Sequence, residues 1–207
     1  MADLEKASQK AREFRQREEE VLQAALELFL EHGEDKVTVE MIAEKVGIGK
    51  GTIYKHFETK DEIYLLLMTR YEEEMAQLFQ RIAETTEHKE QLAKEFFLFR
   101  IKDPKRYMLF DRLEQKLVAA KAVPELLERL HRIRASNAEK LTRIVKARIE
   151  EGVLEDVPPY FHVCAAWALA HGAVALMQSE FYNKVIEDEE GFIDFLLHTG
   201  IRMGNRG

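Results

Sequence analysis

Residues 38–60 read TVEMIAEKVGIGKGTIYKHFETK, and this stretch decides the fold. Met41, Ile42 and Val46 recur at helical spacing behind Thr38, whose hydroxyl can accept the free N–H of the next turn and so marks a helix start. Gly47 ends that helix. A second short helix is expected from Lys50 to His56, with Ile53 and Phe57 on its apolar side. Two short helices around a glycine turn make a helix-turn-helix by spacing. A helix that enters a major groove must be short, turn polar residues outward and be anchored through its other face, while the first helix presents its end to the phosphate backbone.

Outward from this segment the periodicity is helical almost everywhere. Val21, Leu22, Ala25, Leu28 and Phe29 share one face of a helix expected between Phe14 and His32, with Gly33 as its stop. Lys60 and Asp61 open a long helix reaching Thr86. Asp103-Pro104 is a cap followed by proline at the first helical position. Pro124 starts a helix that runs to Glu151 and stops at Gly152. Pro158 and Pro159 open an apolar helix through Tyr182, and a last helix from Glu189 to Met203 buries Phe192, Phe195, Leu196 and Ile201. The expected fold class is all-α, with about nine helices. A helix-turn-helix domain over residues 1–65, including a basic arm over 1–17, precedes a helical bundle over 66–207.

The 207 residues are 46% hydrophobic, enough for a globular core. With 31 basic and 38 acidic residues the net charge is −7, which excludes a uniformly basic nucleic-acid coat; a DNA-binding face must be local. Residues 1–67 carry ten Lys/Arg against fifteen Asp/Glu. Within them, however, Lys45, Lys50, Lys55 and Lys60 face only Glu58 over 45–60, and Lys6, Lys10, Arg12, Arg15 and Arg17 face only Glu13 over 6–17. Two basic patches therefore bracket the groove-facing element, as phosphate neutralisation requires.

Cys164 is the single cysteine, which excludes an intramolecular disulfide and a Cys-based zinc site; it reads as an inert buried thiol. There is no His-x3-His metal spacing, no phosphate loop and no nucleophile–base arrangement, so neither an enzyme nor a cofactor nor a metal is expected. The N-terminus lacks the apolar core of a secretory signal. Val163 to Ser179 reads as a buried helix and not a membrane span. The expected compartment is the cytoplasm.

Thr38, Ile42-Ala43, Gly47, Gly51-Thr52-Ile53-Tyr54, His56-Phe57, Lys60 and Ile63 resemble the signature of TetR-family transcriptional regulators, most specifically in Tyr54-Lys55-His56-Phe57 followed by Lys60. Gly49 stands where the family often has serine, and glycine offers no side-chain acceptor. The resemblance implies a DNA-binding role for Thr38, Lys50, Gly51, Thr52, Tyr54, Lys55, His56 and Lys60. Thr38 and Lys60 would hold phosphates at helix starts, and Tyr54 and His56 would clamp the backbone. Lys50, Gly51, Thr52 and Lys55 would lie nearest the groove, with Lys50 reading a guanine edge. One such unit covers one half-site. Two are needed on successive major grooves about 34–36 Å apart, so a homodimer on a (pseudo)palindromic double-stranded operator is expected.

The helix after Pro159 has a small-residue face of Ala165, Ala168, Leu169, Gly172 and Leu176, suited to close helix–helix approach. With Phe192 and Phe195 of the last helix it is the expected dimer interface; the alternative is that both helices pack within their own subunit. The other face carries Val163, Trp167, His171, Val174, Gln178 and Phe181, opposite an aromatic-rich segment with Phe97, Arg100, Tyr107 and Phe110. These apolar walls with few polar groups suit a ligand pocket. The resemblance places an effector site in this bundle, with Phe97, Arg100, Tyr107, Phe110, Trp167, His171 and Gln178 as its candidate lining and a lipophilic small molecule as its occupant. The expected function is a ligand-responsive repressor. The alternative is a DNA-binding regulator controlled by a protein partner, with a solidly packed bundle.

Overall fold

Helix caps written in the sequence set most of the element boundaries. The computed structural model describes residues 2–84 and 91–205. It contains α1 (Ala2–His32), α2 (Val39–Val46), α3 (Lys50–Ile53), α4 (Lys60–Glu84), α5 (Gln91–Ile101), α6 (Pro104–Ala120), α7 (Pro124–Glu150), α8 (Pro159–Gln178), α9 (Glu180–Val185) and α10 (Glu189–Gly204). Among the described residues there is no strand, only an isolated bridge between Leu154 and Asn205, and the chain is all-α as expected. The expected end of the fourth helix at Thr86 lies outside the described residues.

Two local features outside the helix-turn-helix differ from expectation, while the fourth helix starts at Lys60 as expected. α1 begins at Ala2, so the basic arm is a continuation of the helix; its side chains from Glu5 to Gln16 are all exposed. The long apolar helix breaks at Ser179, whose hydroxyl accepts from the Tyr182 N–H and starts α9. The start of α4 is fixed by two side-chain caps: Thr59 Oγ1 accepts from the Glu62 N–H at 3.1 Å, and the Glu62 carboxylate reaches back to accept from the Glu58 N–H at 2.6 Å.

The helices sort into two compact units. The first comprises Met1–Met68 and Leu113–Leu127, the second Thr69–Arg112 and Glu128–Gly207. In the first, α1 packs on α2 and α2 on α3. Val21, Leu22, Ala25 and Phe29 of α1, Ile42 and Ala43 of α2, Ile53 of α3, and Phe57 are all buried, and the rings of Phe29 and Tyr64 lie 4.7 Å apart. In the second, α5 and α10 pack on α8, and Met75, Phe79 and Phe96 form a buried cluster with Ile82, Phe99, Leu141, Ile144 and Ala166 around it.

Gly47 is the hinge of the helix pair. It adopts the left-handed conformation, φ 74° and ψ 33°, and its N–H reaches the carbonyls of Ala43 and Glu44. A Cβ added there meets nothing within 4 Å, so the penalty for Gly47→Ala is purely conformational. The variant should lose about 1–2 kcal/mol of unfolding free energy, read as a lower midpoint with unchanged slope in urea.

Candidate nucleic-acid interface

The α2–turn–α3 unit is built from its caps outward. Thr38 Oγ1 accepts the Met41 N–H at 3.3 Å and starts α2. After Gly47, Gly49 caps α3 through its backbone alone, its carbonyl accepting from the Thr52 N–H at 2.8 Å. α3 is only Lys50–Ile53, and a turn over 54–56 replaces the longer helix expected to His56. Ile53 and Phe57 are buried, which turns Lys50, Gly51, Tyr54 and Lys55 outward and leaves Thr52 half-buried. A Cβ on Gly51 meets only open space. Tyr54 is 47% exposed, an aromatic ring with a polar tip at the surface.

The lysines are less free than their count suggests. Lys45 pairs with Glu27 of α1 at 2.8 Å. Lys50 pairs with Glu40 of α2 and lies 5.7 Å from the Tyr54 ring centroid. Their hydrogen bond holds the Glu40 carboxyl below its ordinary pKa and the Lys50 ammonium above its own. Among the described residues Lys55 alone of the four is exposed with no side-chain partner.

Two residues expected on phosphates are engaged elsewhere. The Lys60 ammonium donates to the carbonyls of Glu34 and Val37, both at 3.0 Å, and stands 5.5 Å from the Tyr64 centroid. The Tyr64 hydroxyl donates to the same Glu34 carbonyl at 2.8 Å. Burial pushes the Lys60 pKa down and the Tyr64 pKa up. Lys60 therefore fastens the start of α4 to the loop between α1 and α2. His56 has a side chain only 6% exposed, with the Phe14 ring packed against it at a tilt, centroids 4.0 Å apart, and the Glu18 carboxylate 3.9 Å from Nδ1. A clamp on the DNA backbone needs an imidazole at the surface; this one anchors the turn after α3 to α1. Sequence spacing could not reveal either role, because both partners lie far along the chain.

In the second unit, Phe97, Tyr107 and Phe110 are buried, and Arg100 and His171 are half-buried. The Tyr107 hydroxyl and His171 Nδ1 are 3.1 Å apart, and the Trp167 indole stacks on the His171 ring at 5.0 Å. Arg100, Tyr107 and His171 are thus joined by contacts, Phe110 meets Arg100 through the Tyr71 ring, and Trp167 joins them through His171 although it is 44% exposed; Phe97 is buried, and Gln178 is exposed. α8 is not the buried helix expected. Its inward residues are Ala170, Ala173, Val174 and Met177, and by length and composition it is long and apolar enough to cross a bilayer.

Of the expected dimer residues, Ala165 and Phe195 are exposed, and Leu169, Gly172, Leu176 and Phe192 are half-buried. A Cβ on Gly200 of α10 would come within 2.6 Å of Leu169, so Leu169 is used within its own chain. Cys164 is exposed beside Ala165, which corrects its reading as a buried thiol.

The sequence model described as bacterial regulatory proteins of the tetR family matches residues 21–67. An HTH-type transcriptional repressor of Mycobacterium tuberculosis is 34% identical over 65 residues, 31% of this chain and 35% of that protein. The HTH-type transcriptional regulator TcmR of Streptomyces glaucescens is 37% identical over 62 residues, 30% of this chain and 27% of that protein. The chain thus spans about a third of the length of the curated relatives it matches. Solved structures extend the likeness of fold. A tetR-family regulatory protein from Rhodococcus RHA1 superposes with a TM-score of 0.72 at 16% identity, covering 92% of this chain and 97% of that one. The ketosteroid transcriptional regulator KstR2 of Mycobacterium tuberculosis gives 0.68 at 16%, covering 92% and 96%. Residues 21–67 thus carry the tetR-family sequence signature, and the chain along its described length has the fold of solved tetR-family proteins.

Proposed function

We propose that the protein is a DNA-binding transcriptional regulator of the cytoplasm. It acts as a homodimer that sets α3 of each copy into successive major grooves of a (pseudo)palindromic operator, represses there, and is released by a lipophilic small molecule held in the second unit. The observation that carries this reading is the short, outward-facing α3 on a buried Ile53–Phe57 anchor, inside the segment that matches the family. Lys50, Gly51, Thr52, Tyr54 and Lys55 are the proposed DNA contacts, with the Thr38 end of α2 on a phosphate. The exposed basic side chains along the first turns of α1 add phosphate contacts. α4 contributes residues to both units and is the proposed covalent route from effector to DNA.

Fluorescence anisotropy of a labelled duplex at graded salt tests the reading. Affinity should fall linearly on a log–log plot, as counterion release requires; binding that is absent at low salt would refute it. Two variants sharpen the assignment. Glu40→Gln removes the carboxylate that competes for Lys50, and duplex affinity should rise by about twofold to tenfold. Lys60→Met should lower the unfolding free energy by about 1–2 kcal/mol through its two lost carbonyl contacts, while the salt slope stays as in the parent protein.

A further inference from the structure

Two arginines flank one tyrosine in the second unit, and only one of them is neutralised. The guanidinium carbons of Arg106 and Arg100 lie 4.9 and 5.8 Å from the Tyr71 ring centroid. Arg106 forks onto the Glu74 carboxylate at 3.0 and 2.8 Å. Arg100 meets no carboxylate among the described residues. Its one hydrogen bond there is a weak one to the Met75 sulfur at 3.6 Å, and it otherwise faces the rings of Phe96 at 5.5 Å, Tyr107 at 5.1 Å and Tyr71. Its Nε is buried without an acceptor. The nearby buried carboxylate, Glu72, is already held by Arg134 Nε at 3.0 Å and Asn137 Nδ2 at 3.3 Å.

The Tyr71 hydroxyl is the second unsatisfied group. The residue is 4% exposed, and its oxygen has no partner among the described residues. Burial pushes its pKa up to about 12, so at neutral pH it is a donor. A guanidinium stays charged and offers five N–H donors. Ring faces attract the cation without satisfying those donors in its plane. An uncompensated charge that is partly withdrawn from water is costly, which makes this half-buried guanidinium receptive to an opposite charge.

We propose that this group is the head-group subsite for an anionic ligand, an apolar body bearing a carboxylate, with Arg100 pairing the carboxylate and Tyr71 donating to it. The inference rests on the reading that the second unit takes a small effector, and it assigns that effector a charge. A carboxylate matches the planar fork of a guanidinium and accepts a third bond from a hydroxyl. The buried rings of Phe96, Tyr107 and Phe110 around Arg100 and Tyr71 supply an apolar wall for the rest of the molecule. Trp167, the single tryptophan, reports on the site through its stack on His171 and the His171–Tyr107 contact.

Titrating the full-length protein with decanoate against decanol, and 6-phenylhexanoate against 6-phenylhexanol, while following Trp167 fluorescence tests this. At least one acid should bind about tenfold or more tightly than its alcohol. Arg100→Met should abolish that preference. Tyr71→Phe, which removes only an unpartnered hydroxyl and should leave the fold intact, should weaken the acid severalfold and leave the alcohol unchanged. The proposal is overturned if acids bind no tighter than alcohols, if neither acid binds at millimolar concentration, or if Arg100→Met keeps the preference. Alcohols that bind equally well and release duplex DNA sink the anionic assignment alone. An Arg100-dependent acid that leaves duplex binding untouched supports the subsite and sinks the effector reading.

Discussion

Ala168→Arg should yield a folded chain that no longer dimerises and binds a two-fold-symmetric duplex about a hundredfold to ten-thousandfold more weakly, the factor by which linking two half-site contacts raises affinity. The expectation follows from one face of α8. Phe161, Cys164, Ala165, Ala168 and Ala175 are exposed at helical spacing, and half-buried Gly172 continues the stripe with open space where a Cβ would stand. Small side chains let a second backbone come close, and a long cation at the centre of the stripe prevents that approach. Phe195 of α10, 60% exposed, and Phe181 of α9 enlarge the uncovered apolar area beyond isolated surface residues. Because Ala168 is exposed in its own chain, the substitution should spare the fold. Sedimentation velocity and anisotropy read both consequences. A variant that stays dimeric and binds as before would move the interface elsewhere.

Lys50→Ala should weaken operator binding about tenfold to a hundredfold and relax preference at one base pair, as expected for loss of a base contact. Lys55→Ala should weaken cognate and scrambled duplexes alike and reduce the salt slope by about one, as expected for a phosphate contact. The two lysines differ in what they must give up. Lys50 leaves Glu40 when it reaches a base, whereas Lys55 has no side-chain partner among the described residues. Anisotropy on matched duplexes separates the two effects. Equal losses on both duplexes from Lys50→Ala would reassign it to the backbone.

The helix-turn-helix was legible in the sequence because each of its determinants is local. Thr38 caps within three residues, Gly47 must take a left-handed turn, and Ile53 and Phe57 mark one face of a short segment. What the sequence hid depends on partners far along the chain. Lys60 looks like a phosphate ligand until its two carbonyl acceptors at Glu34 and Val37 are seen. His56 looks like a surface clamp until the Phe14 ring, from the helical arm, is found packed against it. α8 misled for another reason. A helix apolar on all sides has no periodicity to say which face turns inward, so the exposure of Trp167 and Cys164 is not legible in it, nor is the turning of Ala170, Ala173, Val174 and Met177 toward the core. That Arg100 meets no carboxylate among the described residues is likewise invisible in the sequence, which places acidic residues close by; only the structure shows Glu74 and Glu72 committed to other cations.

Selection of bound duplexes from a random-sequence library tests the central claim most directly. The account predicts enrichment of a two-fold-symmetric motif whose half-sites lie about one helical turn apart, retained by two chains per duplex and altered at one position when Lys50 is replaced. A library that emerges unenriched, or a single asymmetric site held by one chain, would contradict it.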